Sequence, residues 1–237
     1  MQDQDPEFVH RAFSGIADRY VVANHVLSGG IDLLWRRRVA RIVRARLPGR
    51  ILDLATGTGD LALELQRQIP QAEILASDFC EPMLAHARTR GLETLLADAL
   101  ALPLEDEAFD AVTIGFGLRN LASWEKGLQE MARVLRPGGT LVVLDFSLPG
   151  PWLRPAYRLY LHRILPLLAR ALTGKKEAYQ YLGDSIERFP SGPAMCQLLR
   201  RNGFAEAHAQ ALSGGIASLY TATTPAPAQV ASSPALA

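Results

Sequence analysis

The segment Ile51 to Ala62, ILDLATGTGDLA, joins an apolar run to a Gly-x-Gly turn and then to a helical period. Gly57 and Gly59 have no side chains, so the backbone of the turn can lie directly against a ligand. Gly57, Gly59 and Ala62 also satisfy the loose dinucleotide pattern G-x-G-x-x-A. Charge separates the two readings. A pyrophosphate exploits the positive end of the helix that follows such a turn. Here Asp60 comes directly after the turn and Asp53 stands seven residues before Asp60, so a phosphate would be repelled. A ligand with a positive centre and no phosphate removes the conflict. S-adenosylmethionine is such a ligand: it carries a sulfonium, an ammonium and a ribose whose two hydroxyls call for a carboxylate. Asp78, at the end of the next apolar run, is placed for that ribose. Asp60 taken alone also reads as a first-turn acid that complements the helix dipole.

The elements that must position these residues alternate between apolar β-type runs and helix-period segments, the pattern of a mostly parallel sheet covered by helices. Strands are expected at Arg50–Ala55, Glu73–Asp78, Thr94–Ala97, Phe109–Phe116 and Thr140–Phe146, followed by Phe204–Leu212 and Ile216–Thr223. Helices are expected at Asp60–Gln68, Glu81–Arg90 and Ser123–Leu135, with Ser123 as N-cap and Pro137-Gly138-Gly139 as the stop. A further helix is read near Gly192–Asn202. A helical lid over about 6–47 precedes this unit, and a helical substrate insertion over about 152–190 interrupts it. One domain over 1–224 is expected, with 225–237, rich in Ala, Pro and Ser and free of charge, as a disordered tail.

Composition sets the outer limits. With 237 residues, 49% hydrophobic and 21% charged, the chain falls among ordinary globular proteins. A formal charge of +1 excludes a globally basic nucleic-acid binder. Two cysteines, Cys80 and Cys196, and an acidic N-terminus point to the cytoplasm. No uncharged apolar run reaches the length of a membrane span, and no metal-ligand spacing occurs.

Further along the chain stand Asp98-Ala99 with LPLEDEAFDAV, then GFGLRN, then LRPGGTLVVLDFS. This order resembles the class I S-adenosylmethionine-dependent methyltransferases, which implies a Rossmann-like seven-stranded sheet, mostly parallel with one antiparallel strand and with helices on both faces. Other stretches are similar to a narrower family, the quinone-biosynthesis C-methyltransferases that methylate demethylmenaquinone and 2-methoxy-6-polyprenyl-benzoquinol. They are the N-terminal FSGIADRYVVANHVLSGGIDLLWRRR, matching at Phe13, Ala17, Tyr20, Asn24, Leu27, Ser28, Gly30 and Trp35, then FGLRNL, YQYLGDSIERFP and LSGGIASLY. Coverage is about residues 8–222. The chain departs from the family at Val21, Ala23 and Asp32, which stand where Asp, Met and His are usual, and at Gly115, where some members have a cofactor-contacting Ser. The resemblance implies cofactor contacts at Thr58, Asp78, Asp98 and Ala99, beside Asp53, Gly57 and Gly59 from the turn.

It also implies the reaction, methyl transfer from the sulfonium to a ring carbon of a polyprenyl quinol. A neutral ring carbon is a poor nucleophile, whereas an ionised quinol hydroxyl pushes electron density onto its neighbour. Arg119, just past the fourth strand, is the candidate to stabilise that quinolate or orient a water, and it is too basic to act as the base itself. Its other reading is a structural ion pair with a carboxylate such as Asp145. Asn120 is grouped with Arg119 as catalytic, or caps the next turn. Tyr20 and Asn24 are lid residues or core. His25 is a bystander or a proton acceptor, and Cys80 reads as packing.

Charge is segregated along the chain. Arg36 to Arg50 carries seven Arg and no acid, and 150–180 carries Arg154, Arg158, Arg163, Arg170, Lys175 and Lys176 against Glu177 alone. With Leu159, Leu161, Ile164, Leu165, Leu167 and Leu168 interleaved, the second segment suits peripheral contact with the inner face of an anionic membrane, or forms a solvated basic face over an apolar one. A second copy of the chain or a quinone-synthesis complex is a further expected partner. The competing functions are methylation of another amphipathic acceptor and a non-catalytic S-adenosylmethionine-binding scaffold.

Overall fold

In the computed structural model the described residues are 30–164 and 177–226. Seven strands form one sheet: β1 (Arg50–Leu54), β2 (Glu73–Asp78), β3 (Glu93–Leu96), β4 (Phe109–Gly115), β5 (Leu135–Phe146), β6 (Glu206–Leu212) and β7 (Ala217–Thr223), in the order β3-β2-β1-β4-β5-β7-β6. Strands β1 to β5 pair in parallel, and β7 runs antiparallel between β5 and β6. This is the expected sheet, with its one reversed strand.

Strands buried on both faces need apolar residues at every position, and the alternation of Cβ directions divides them between two cores. Leu52, Leu54, Val112, Ile114, Leu141 and Val143 pack with α4 (Trp124–Val134) and α7 (Pro193–Arg201) on one face. Ile51, Ala111, Val142 and Leu144 pack on the other with α1 (Ile31–Arg44) and α2 (Asp60–Gln68). Ser123 caps α4 as expected, accepting from Lys126 N at 3.3 Å. The remaining helices are α3 (Glu81–Thr89), α5 (Arg154–Leu159), which passes into a π-helical turn at Tyr160–Ile164, and α6 (Glu177–Arg188).

Some boundaries differ from expectation. Strand β3 begins at Glu93 rather than Thr94 and β1 ends at Leu54 rather than Ala55. Strand β5 starts at Leu135, immediately after α4, because Leu135 already pairs with Phe109. The register then slips to Thr140 opposite Ala111, so Pro137-Gly138-Gly139 protrudes as a bulge inside the strand and does not separate helix from strand. Of the expected lid, α1 is described; Tyr20, Val21, Ala23, Asn24 and His25 lie outside the described residues, as do 165–176 of the insertion and 227–237.

The carboxyl ends of β1, β2 and β4 converge, and that is where an open α/β sheet leaves a crevice. Gly117 closes its floor. A Cβ there would stand 2.4 Å from Ala55 Cβ, an atom fixed to backbone. Gly117→Ala is therefore expected to lower stability by about 1–3 kcal/mol in urea unfolding, and a loss below about 0.5 kcal/mol would mean that the strand ends part freely.

Candidate functional site

The crevice is an open cleft of about 1090 Å³, counting the space that merges with solvent. It brings together Asp53, Gly57, Thr58, Asp78, Asp98, Ala99 and Asn120 from the sequence reading. Gly59 and Arg119 do not line it. Gly59 sits behind the turn as the N-cap of α2, with φ +88, and a Cβ there would meet Leu92 Cδ1 at 2.3 Å. Residues that the sequence reading missed are Arg36, Phe79, Met83, Phe116 and Leu121, and Cys80, read as packing, also lines the wall.

The turn is built from left-handed glycines and from the Asp78 carboxylate. Gly57 has φ +59 with open space where a Cβ would stand, so a ligand can approach its backbone. Asp78 Oδ2 accepts from Gly57 N at 2.8 Å and its Oδ1 accepts from Cys80 N at 2.9 Å, which ties the end of β2 to the glycine turn. Burial pushes the Asp78 carboxyl up, against the pull of these amides. Asp98 is exposed at the cleft rim, its Oδ1 accepting from Leu100 N at 2.9 Å.

Asp53 is fully buried among hydroxyls. Thr113 Oγ1 donates to it at 2.5 Å and Thr56 Oγ1 at 2.7 Å. Desolvation raises its carboxyl to about 6, opposed by the two hydroxyls and by the charge of Arg36, and reinforced by repulsion from Asp78. Asp60 requires a correction to the charge argument. Arg90 pairs with it at 2.7 Å and also donates to Thr58 O at 2.8 Å, so this acid is neutralised by a cation 30 residues away. The carboxylates left facing the cleft are Asp53, Asp78 and Asp98, and their sum still favours a cationic ligand.

Arg119 occupies the structural alternative. Its guanidinium is buried and pairs with Asp145 at 2.7 Å, while its backbone N–H donates to Asp145 Oδ2 at 3.2 Å. The same guanidinium donates to Phe116 O, and Asn120 Nδ2 donates there at 3.4 Å. Phe116 has φ +60, a conformation that costs a bulky residue about 1–2 kcal/mol. It turns the ring from the face shared by Val112 and Ile114 to the opposite face, where Phe116 meets Phe146 at 4.6 Å and Trp35 at 6.2 Å between centroids.

The donor set suits S-adenosylmethionine: carboxylates for an ammonium and for ribose hydroxyls, a bare glycine backbone, and apolar walls. A SAM-dependent methyltransferase structure from Thermotoga maritima superposes with a TM-score of 0.64 at 21% identity, covering 90% of this chain and 98% of that one. The fold is that of a class I methyltransferase. The sequence matches the profile of the ubiE/COQ5 methyltransferase family over residues 1–224, and the chain belongs to that family. A demethylmenaquinone methyltransferase of Thermus thermophilus is 49% identical over 90% of this chain and all of its own length. The ubiquinone/menaquinone biosynthesis C-methyltransferase UbiE of Dinoroseobacter shibae is 37% identical over 93% of this chain and 92% of its own. The family implies S-adenosylmethionine as methyl donor.

Asp53 yields a prediction with a defined sign. Its folded carboxyl holds a proton up to about 6, above the ordinary value of 3.8, so its protonation stabilises the fold at low pH and that contribution is lost as pH rises through about 6. Asp53→Asn is expected to raise the melting temperature of the ligand-free protein at pH 8 and to lose that advantage below pH 5. The same variant should bind S-adenosylmethionine about tenfold or more weakly; unchanged affinity in titration calorimetry would remove Asp53 from the cofactor site.

Proposed function

We propose that this protein transfers a methyl group from S-adenosylmethionine to a ring carbon of a polyprenyl quinol, with demethylmenaquinol as the favoured acceptor. The observation that carries this reading is a cleft whose wall combines buried carboxylates with an aromatic ring, Phe116, held in a left-handed backbone conformation. The substrate class follows the names of the relatives above. When bound, the cofactor supplies an electrophilic methyl on a sulfonium. Asp53 would hold the ammonium of its amino-acid end, the Gly57-Thr58 backbone would lie along it, Asp78 would accept from the ribose hydroxyls, and Asp98 with the Ala99 backbone would meet the adenine edge.

Orientation accounts for much of the rate. Fixing the ring carbon in line with the methyl is worth on the order of 7–11 kcal/mol at most. Phe116 offers a face for the acceptor ring, with Leu121 and Met83 excluding water. Asn120 lines the cleft next to Phe116 and can donate to a quinol oxygen as it gains charge. Arg119 acts through Phe116: its bond to the Phe116 carbonyl, and its ion pair with Asp145, hold the strained backbone that presents the ring. It is a positioning residue in this reading, and direct stabilisation of a quinolate passes to Asn120.

Peripheral contact with an anionic membrane is part of the proposal. Leu33 and Leu34 are exposed at the start of α1, Leu34 by 58%, and Arg37, Arg41 and Arg44 continue the exposed side of the helix. Trp152, 80% exposed, and Leu159 stand beside Arg154 and Arg158. The two regions flank one turn: Trp35 Nε1 donates to Ser213 Oγ at 3.1 Å, and Leu153 Cδ2 lies 3.7 Å from the Cβ position of Gly214. No helix among the described residues is long and apolar enough to cross a bilayer, so the contact is with the surface.

Two experiments test this reading. Purified protein with S-adenosylmethionine is expected to add one methyl to the ring of chemically reduced demethylmenaquinol, seen by mass spectrometry. Asn120→Ala should lower turnover without lowering the melting temperature, whereas Arg119→Ala should lower both, since it leaves Asp145 buried and unpaired at a cost of about 3–5 kcal/mol. Methylation of neither demethylmenaquinol nor a demethylated benzoquinol would overturn the assignment. In sedimentation with vesicles, binding is expected to phosphatidylglycerol and not to phosphatidylcholine alone, and to be lost in an Arg37→Gln, Arg41→Gln, Arg44→Gln variant; equal binding to both lipids would overturn the surface contact.

A further inference from the structure

We propose that Arg36, held in place by Asp32, binds the α-carboxylate of the amino-acid end of S-adenosylmethionine. The inference rests on the reading of the cleft as an S-adenosylmethionine site and assigns a subsite within it. That end of the ligand carries two opposite charges a few bonds apart. Its ammonium has acids to meet, but a carboxylate taken out of water beside Asp53 and Asp78 needs a cation close by. Among the described residues Arg36 is the only cation that lines the cleft. Arg90, the other cation near the glycine turn, does not line the cleft and pairs with Asp60 and the Thr58 carbonyl.

The placement of Arg36 fits the task. Its side chain is 13% exposed, so it faces the cleft without being lost to solvent. Its guanidinium carbon lies 5.6 Å from the centroid of the Phe116 ring, and its charge reaches Asp53. The guanidinium is therefore near both the carboxylate assigned to the ammonium and the ring assigned to the acceptor, within reach of the amino-acid end of the ligand. A guanidinium presents five N–H donors in a rigid fork. The bond to Asp32 uses Nη1, and the fork has capacity for a second carboxylate.

Asp32 explains why Arg36 keeps that position. It is the one acid of α1, which also carries five arginines, and it is buried one helical turn before Arg36, to which it is ion-paired. The acid on the cleft wall that the charge of Arg36 already reaches is Asp53, and an Arg36–Asp53 pair would cancel both halves of the zwitterion site. Asp32 holds the cation apart from Asp53, so that the ammonium and the carboxylate each find an opposite charge. The departure at position 32, where the family usually has His, thus acquires a role in this chain: Asp32 is a positioning residue and Arg36 the contact.

The test compares two ligands that differ only in the carboxylate. Titration calorimetry of the full chain without acceptor is run with S-adenosylmethionine and with its decarboxylated form. The wild type is expected to prefer S-adenosylmethionine by about tenfold or more. Arg36→Gln should abolish that preference, weakening S-adenosylmethionine while leaving the decarboxylated ligand within about twofold, a spread that is small on the affinity scale. Arg36→Lys should keep part of the preference, and Asp32→Asn should reduce it with a smaller loss than Arg36→Gln. Equal wild-type affinities for the two ligands would overturn the proposal without any variant, as would an Arg36→Gln effect equal on both. If the wild type binds neither ligand, the S-adenosylmethionine reading itself fails and this subsite falls with it; binding of both with no discrimination refutes the subsite alone.

Discussion

Three aspartates stand at or one residue before the carboxyl ends of three strands, and all three are buried: Asp53 of β1, Asp78 of β2 and Asp145 of β5. A buried carboxylate is tolerated only where something replaces its lost water, and the three solutions differ. Asp145 has the Arg119 guanidinium and two backbone amides, those of Arg119 and Phe146. Asp78 has the amides of Gly57 and Cys80. Asp53 has two threonine hydroxyls and a more distant arginine; burial pushes its carboxyl up to about 6 and raises those of Asp78 and Asp145 as well. Asp53, met at hydrogen-bond distance by neutral hydroxyls, gains from an incoming cation. The glycine turn, the return from β4 and the start of α2 are arranged around these acids.

The return from β4 shows how one such acid is put to use. Asp145 draws Arg119 inward, and Arg119 in turn fastens the Phe116 carbonyl. That bond holds a residue whose left-handed backbone would otherwise relax. Strand alternation would send the Phe116 side chain to the core that holds Ile114; the reversed φ sends it to the opposite face, over Phe146 and beside Trp35. A buried ion pair by itself adds little to stability. Here it specifies where a ring stands, which is the better-attested use of such pairs.

The sheet was legible in the sequence because buried parallel strands read as unbroken apolar runs, and the turn was legible because only glycine takes its backbone angles without strain. Asp78 follows from its place at a strand end, and Asp53 from the charge it sets beside the glycine turn. What sequence could not show were partners distant along the chain. Arg90 neutralises Asp60 from 30 residues away, so the charge that the sequence sets beside the turn is cancelled by a partner it does not reveal. Arg119 was correctly placed beyond β4, yet which way its side chain turned depended on Asp145, 26 residues on. Arg36 was hidden in a run of arginines of identical type. Its one sequence mark was Asp32 at the i–4 position, an acid in a helix otherwise full of base. In sequence the bulge at Pro137-Gly138-Gly139 is indistinguishable from a helix stop, because the pairing of Leu135 with Phe109 is a tertiary fact.

Helix α1 then links the two sides of the proposed reaction through its geometry alone. Successive residues on a helix are rotated by about 100°, so neighbouring arginines in the run face different surroundings. Arg36 turns into the cleft with Trp35 beside Phe116, while Arg37, Arg41 and Arg44 point outward and share a depression with Leu34. The inward arginine meets an acidic wall. The outward ones, stacked at like-charge spacings, repel one another, and the anionic surface proposed as their partner would relieve that repulsion. A quinol whose tail stays in a membrane must bring its ring to the cofactor without leaving the lipid. An element that is basic and apolar on its outer side and lines the cleft on its inner side brings those two requirements to within the width of one helix.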